Sequence, residues 1–200
     1  MTGAGTRKGG SALVHGPFGP WGRRPWRCTV RDMTTRTRIA VIGVGNEFRR
    51  DDGVGWAVVA RLRERAGDRP LPSGTVLATC DGDPGQLIGL WEDAALAVVV
   101  DAAHAHPGSP GRVHRIELDA GRLEQPSATS SHGLGLGEAV ELARVLGRLP
   151  SRLVVYAVEG ADGSLGTGLS PAVAAVVEPL AGSVEDEIAR HRGAPARRLP

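Results

Sequence analysis

Seven carboxylates and one histidine stand where they could act together. Asp51 and Asp52 follow the apolar run 38–43 across a glycine turn, Asp81 and Asp83 follow 75–80, Asp101 follows 96–100, and Glu159 and Asp162 follow 153–158. Each run reads as a strand, and in an open parallel sheet ligands sit outside the carboxyl ends of the strands. One edge therefore gathers acid. Asp101 is the sharpest case, because a carboxylate straight after an apolar strand must be solvated, hydrogen-bonded or metal-bound. His132 opens a long helical stretch after the Ser/Thr-rich loop 127–131, which brings an imidazole toward the same edge. Two carboxylates and an imidazole form a donor set for a divalent transition metal with open positions, suited to nickel, zinc or iron more than to calcium or magnesium. Plainer roles stand beside this one: Asp52 as a turn residue before Gly53, Asp101 as a cap, His132 as a polar first-turn residue. Spacing alone does not choose between them.

Other chemistries fit less well. Gly43-Val44-Gly45-Asn46 starts like a dinucleotide fingerprint, but the third glycine would fall at Phe48. Cys80 with His132 and Asp101 could be drawn as a cysteine hydrolase, yet a cysteine at a strand end is more often simply buried. His104 and His106 lie in a Pro/Gly-rich loop that exposes histidines freely. Lys8 is the sole lysine, so residues beyond the first segment offer no P-loop or Schiff-base lysine, which sets aside kinase, P-loop and pyridoxal readings.

Charge and composition narrow the class further. The 200 residues are 41% hydrophobic and 23% charged, ordinary for a globular chain. The net charge of +2 hides an acidic centre: residues 39–188 carry twelve arginines against twenty-one acids, a net of −9, and the basic excess lies in the Gly/Pro-rich ends. A nucleic-acid partner is not expected. No apolar run approaches the roughly 18 residues of a membrane span, so no membrane partner is expected either. Two cysteines, Cys28 and Cys80, are too few for a disulfide framework or a four-cysteine zinc site and suit a reducing cytoplasm.

The elements that must position these residues follow from periodicity. Residues 38–43, 75–80, 96–100 and 153–158 read as strands, with 112–118 alternating as a half-buried one. Helical spacing covers 54–66, a helix opened by Pro84 and holding Leu87, Ile88, Leu90 and Trp91, then 132–149, then a last helix capped by Ser170-Pro171 and fading near Arg190. Trp56 and Trp91 are expected to pack helices on the sheet. Alternation of strands and helices predicts a single α/β domain, a mostly parallel sheet covered on both faces in three α/β/α layers, with 112–118 the antiparallel exception. The expected domain is 37–191, preceded by a disordered basic extension, 1–36, in which Met33 is a candidate start, and followed by a disordered tail, 192–200.

Taken together, Gly43-Val44-Gly45-Asn46, then Asp51-Asp52-Gly53-Val54-Gly55, Asp81-Gly82, Val100-Asp101-Ala102 and Ser131-His132-Gly133-Leu134-Gly135-Leu136 resemble the hydrogenase maturation proteases, over about residues 38–185. These endopeptidases trim the C-terminus of nickel–iron hydrogenase large subunits. The resemblance implies a twisted five-stranded sheet between helices and a cytoplasmic enzyme whose partner is the large-subunit precursor. It assigns metal binding and catalysis to Asp52, Asp101 and His132. The metal implied is nickel, supplied by the precursor, with other divalent metals as substitutes, and cleavage is then conditional on loading. Two departures stand out. The family often has Glu where Asp52 stands, which shortens the reach and leaves Asp51 as an alternative ligand or, with Asp52, a candidate general base. Its common Asp-Gly-Gly-Thr turn is here Asp81-Gly82-Asp83-Pro84, which bears on which hydrogenase is served. Rival readings are a nickel-binding docking module or chaperone without hydrolysis, and a dinucleotide oxidoreductase.

Overall fold

The computed structural model describes residues 38–105, 107–119 and 134–193. Five strands, β1 (Ile39–Val44), β2 (Thr75–Cys80), β3 (Leu96–Ala103), β4 (Val113–Asp119) and β5 (Arg152–Glu159), form one sheet in the order β2-β1-β3-β5-β4. All neighbouring pairs are parallel except β4 with β5. The helices are α1 (Val54–Asp68), α2 (Pro84–Trp91), α3 (Leu134–Val145) and α4 (Pro171–Gly193), and a 3-10 turn, Arg50–Gly53, joins β1 to α1.

The three layers follow from the period-two alternation of each strand. Ile39 and Val41 of β1, with Leu96, Val98 and Val100 of β3, meet Val54, Val58 and Leu62 of α1 and Val173, Leu180 and Val184 of α4. Ala40, Ile42, Ala97 and Val99 face the other way, onto Leu87, Ile88 and Trp91 of α2 and Leu136, Ala139 and Ala143 of α3. Burying each large aliphatic side chain contributes ~1.5–3 kcal/mol, and strands covered on both faces must be apolar almost throughout. Pro84 opens α2 as expected, with Asp83 Oδ1 accepting from Gln86 N at 2.8 Å as its cap.

Three expectations shift. Strand β3 runs on to Ala103, so Asp101 lies within it, paired with Ala157, because β5 is long enough to continue the ladder to Glu159. Ser170 precedes α4, but its hydroxyl donates to Asp51 Oδ2 at 2.9 Å. The long helix ends at Val145, short of the expected 149; its expected start at His132 lies outside the described residues, as do His106, residues 1–37 and the tail from 194.

On the α4 side, Glu187 is fully buried and compensated. Arg115 Nε donates to it at 2.6 Å, Arg190 Nη2 at 2.9 Å and Tyr156 hydroxyl at 3.3 Å, while Arg115 and Arg152 also hold Glu117. This network ties α4 to β4 and β5. No helix among the described residues is long and apolar enough to cross a membrane.

Candidate functional site

The glycines after β1 are there to receive backbone. A Cβ on Gly55 would lie 2.4 Å from Val100 O and 2.6 Å from Val44 O, so the first turn of α1 rests directly on the end of β1 and on β3 at Val100. Gly45 has φ 119° and a Cβ there would lie 1.9 Å from Asp52 O. Only glycine satisfies both demands. What resembled the start of a dinucleotide cradle is thus filled by the chain itself, and its product is a fixed place for Asp52 over the sheet edge. Asp52 N donates to Arg49 O at 3.1 Å, and Asp52 Oδ2 accepts from Asn46 N at 2.9 Å. Asn46 in turn accepts from Phe48 N through Oδ1 at 2.9 Å. Asn46 therefore orients the acid, a role its Gly-Asn context alone did not reveal.

Asp51 and Asp52, adjacent in sequence, have separate fates. Asp51 is 2% exposed. Its carboxylate accepts from Ala161 N (2.8 Å), Asp162 N (3.0 Å), Ser170 N (2.6 Å) and the Ser170 hydroxyl (2.9 Å). Burial works to raise its pKa, and these hydrogen bonds outweigh it, so the group sits below the ordinary carboxylate range. Its acceptor capacity is spent on the 160–170 segment. As an alternative ligand or general base it is poorly suited, and it serves as an anchor for the turn that carries Asp52.

Asp101, 8% exposed, enters from β3. Burial pushes its carboxyl up to about 6, a backbone hydrogen bond from Ala102 opposes this, and the charge of Asp52 adds to the rise. The two acids are close enough to feel each other across the β1 and β3 ends, and a cation between them would relieve both desolvation and repulsion.

The remaining edge acids are occupied structurally. Glu159 Oε1 meets His114 Nε2 at 2.6 Å and Oε2 accepts from Ser109 N. Asp162 pairs with Arg50 Nε at 3.2 Å. Asp81 Oδ1 accepts from Asp83 N at 3.2 Å. His104 is exposed. Cys80 is buried and burial pushes its thiol up, the wrong direction for a nucleophile. Among the described residues no three His, Cys, Asp or Glu side chains form a group that could hold a metal.

Comparisons with known proteins place the chain among relatives of one family. A family model for hydrogenase maturation proteases, HycI, matches residues 59–187. The hydrogenase 2 maturation protease of Escherichia coli K12 is 27% identical over 144 residues, covering 71% of this chain and 85% of that protein. Among solved structures, the hydrogenase maturating endopeptidase HybD from E. coli superposes with a TM-score of 0.61 at 25% identity, over 76% of this chain and 93% of that one. The [NiFe] hydrogenase maturation protease HycI from Thermococcus kodakarensis does so at 0.55 and 25% identity, with the same coverage. With residues 59–187, more than half of its length, matched by the family model, the chain belongs to the hydrogenase maturation protease family.

Proposed function

We propose that the chain is a cytoplasmic endopeptidase that removes the C-terminal extension of the nickel-loaded large subunit of a nickel–iron hydrogenase, reading the nickel through Asp52, Asp101 and His132. The observation that carries this reading is the Asp52/Asp101 pair: Asp52, held by Asn46 N, and Asp101, carried by β3, lie near enough that the charge of Asp52 helps raise the Asp101 carboxyl. Carboxylate donors suit a divalent metal, and an imidazole third donor shifts the preference toward nickel or zinc. Asn46 and the glycine turn fix Asp52, while β3 fixes Asp101.

In this account the nickel belongs to the substrate. The precursor brings its metal to two preorganised carboxylates, and an unloaded precursor leaves them facing each other without compensation. Docking therefore favours the loaded form, and the carboxylates hold the scissile segment in register beside the metal. Asp52, the less buried of the two acids, is the group free to take a proton from an attacking water.

The test is the intact mass of a large-subunit precursor incubated with the chain, with and without nickel loading. Release of one defined C-terminal peptide from the loaded form alone is the expected result. Stable association with no peptide bond cut would instead make the chain a docking module.

A further inference from the structure

Phe48 and Leu165 are 61% and 81% exposed. Single exposed apolar residues are ordinary, but these two adjoin on clasped backbone. They immediately precede Arg49 and Gly166, which form a parallel bridge. Gly166 N donates to Phe48 O at 2.9 Å and Arg50 N donates to Gly166 O at 3.0 Å. Arg49 Nη2 reaches Gly163 O at 3.3 Å and Arg50 Nε pairs with Asp162 at 3.2 Å, so side chains lock the same two segments. The rim continues into the site, since Arg49 O accepts from Asp52 N.

We infer that Phe48 and Leu165 form a docking rim on which an apolar stretch of the hydrogenase precursor packs when its metal-bearing end meets Asp52. This rests on the proposed function. The occupant follows from continuity: Phe48 shares with Asp52 one turn, closed by the hydrogen bonds from Asp52 N to Arg49 O and from Arg49 N to Asn46 O, so a partner whose metal meets Asp52 lies beside the rim. The size of the rim agrees. Two side chains are far short of the roughly 1,200–2,000 Å² that a stable dimer of this chain would bury. They match the anchor pair of a larger interface, held on rigid backbone with guanidinium groups at its margin.

Phe48→Ser and Leu165→Ser, singly and together in the full-length chain, test this against a nickel-loaded precursor that the wild-type chain binds. Affinity is read by biolayer interferometry, cleavage by intact mass, and fold by thermal melting. Each substitution is expected to weaken binding about tenfold, with a melting midpoint within about 2 °C of wild type. Because the residues sit on different segments, equal losses from both are not explained by damage to one loop. Unchanged affinity with normal cleavage overturns the rim and leaves the proposed function standing. Binding without cleavage by the wild type, lost in both variants, supports the rim and overturns proteolysis. A wild-type dimer that the substitutions dissociate in sedimentation, with precursor affinity unchanged, gives the rim to a second copy of the chain and overturns the inference.

Discussion

Asp51→Asn and Asp52→Asn replace neighbouring carboxylates by the same near-isosteric amide, and their expected consequences are opposite. At Asp51 three donors converge on Oδ2 and one on Oδ1. An asparagine that keeps its oxygen in the Oδ2 position turns its NH2 against Ser170 N, donor to donor. One hydrogen bond to a charged acceptor is lost, about 1.5–3 kcal/mol, and the other three become neutral and roughly half as strong. A total near 4–7 kcal/mol is expected, a large share of the ~5–15 kcal/mol of a typical domain. At Asp52 the one acceptor bond, from Asn46 N, survives in the amide oxygen, and a charge beside Asp101 disappears. Stability there should change by less than about 1 kcal/mol, while precursor cleavage is lost. Urea unfolding at pH 7, followed by circular dichroism with the m-value checked for constancy, separates the two. The reasoning is refuted if Asp51→Asn costs under about 1 kcal/mol, or if Asp52→Asn destabilises as much as its neighbour.

Gly55→Ala places a Cβ against Val100 O and should cost about 3 kcal/mol or more, whereas Gly89→Ala, in α2 with open space around it, should gain about 0.5–1 kcal/mol; thermal melts of both check the packing argument. Asp101 is an acid raised from 3.8 to about 6, so the folded state holds its proton longer than the unfolded one and its contribution to stability falls as pH rises through that window. Asp101→Asn should therefore stabilise the protein at pH 7.5 by up to about 3 kcal/mol while abolishing cleavage; a destabilised variant would count against a desolvated carboxylate. Glu117, held by Arg152 and Arg115, is lowered from 4.5 to about 2, and Glu187 is lowered too. Their contribution is full above about 4.5 and lost as pH falls toward 2, so urea midpoints between pH 5 and 2 should decline less steeply in Glu117→Gln, and an unaltered slope would contradict the assignment.

The sheet was legible because both of its faces are covered: β1, β3 and β5 are apolar nearly throughout, and Pro84 marked the start of α2. The end of β3 was not legible. An apolar run reports burial, while the extent of pairing depends on a partner, here Ala157 to Glu159, some fifty residues away. Of the site, the choice of edge was readable from strand ends, while the selection of Asp52 and Asp101 came only with the resemblance to the family. The separation of Asp51 from Asp52 was not, because the groups that occupy Asp51 come from residues 161–170, over a hundred positions later. The same distance hid the use of Ser170, whose hydroxyl serves Asp51. The glycines were visible as a motif, but only the close approach of α1 to Val100 O and Val44 O gives their physical reason.

In the proposed function Asp52, Asp101 and His132 converge on the nickel of the precursor. The most direct test is the single-turnover rate of C-terminal peptide release from one nickel-loaded precursor preparation by wild type, Asp52→Ala, Asp101→Ala and His132→Ala, each shown to be folded. The account expects each substitution to slow release at least about 100-fold, and nickel-free precursor to stay intact with all four proteins. Release at the wild-type rate by any one variant, or from nickel-free precursor, would contradict it.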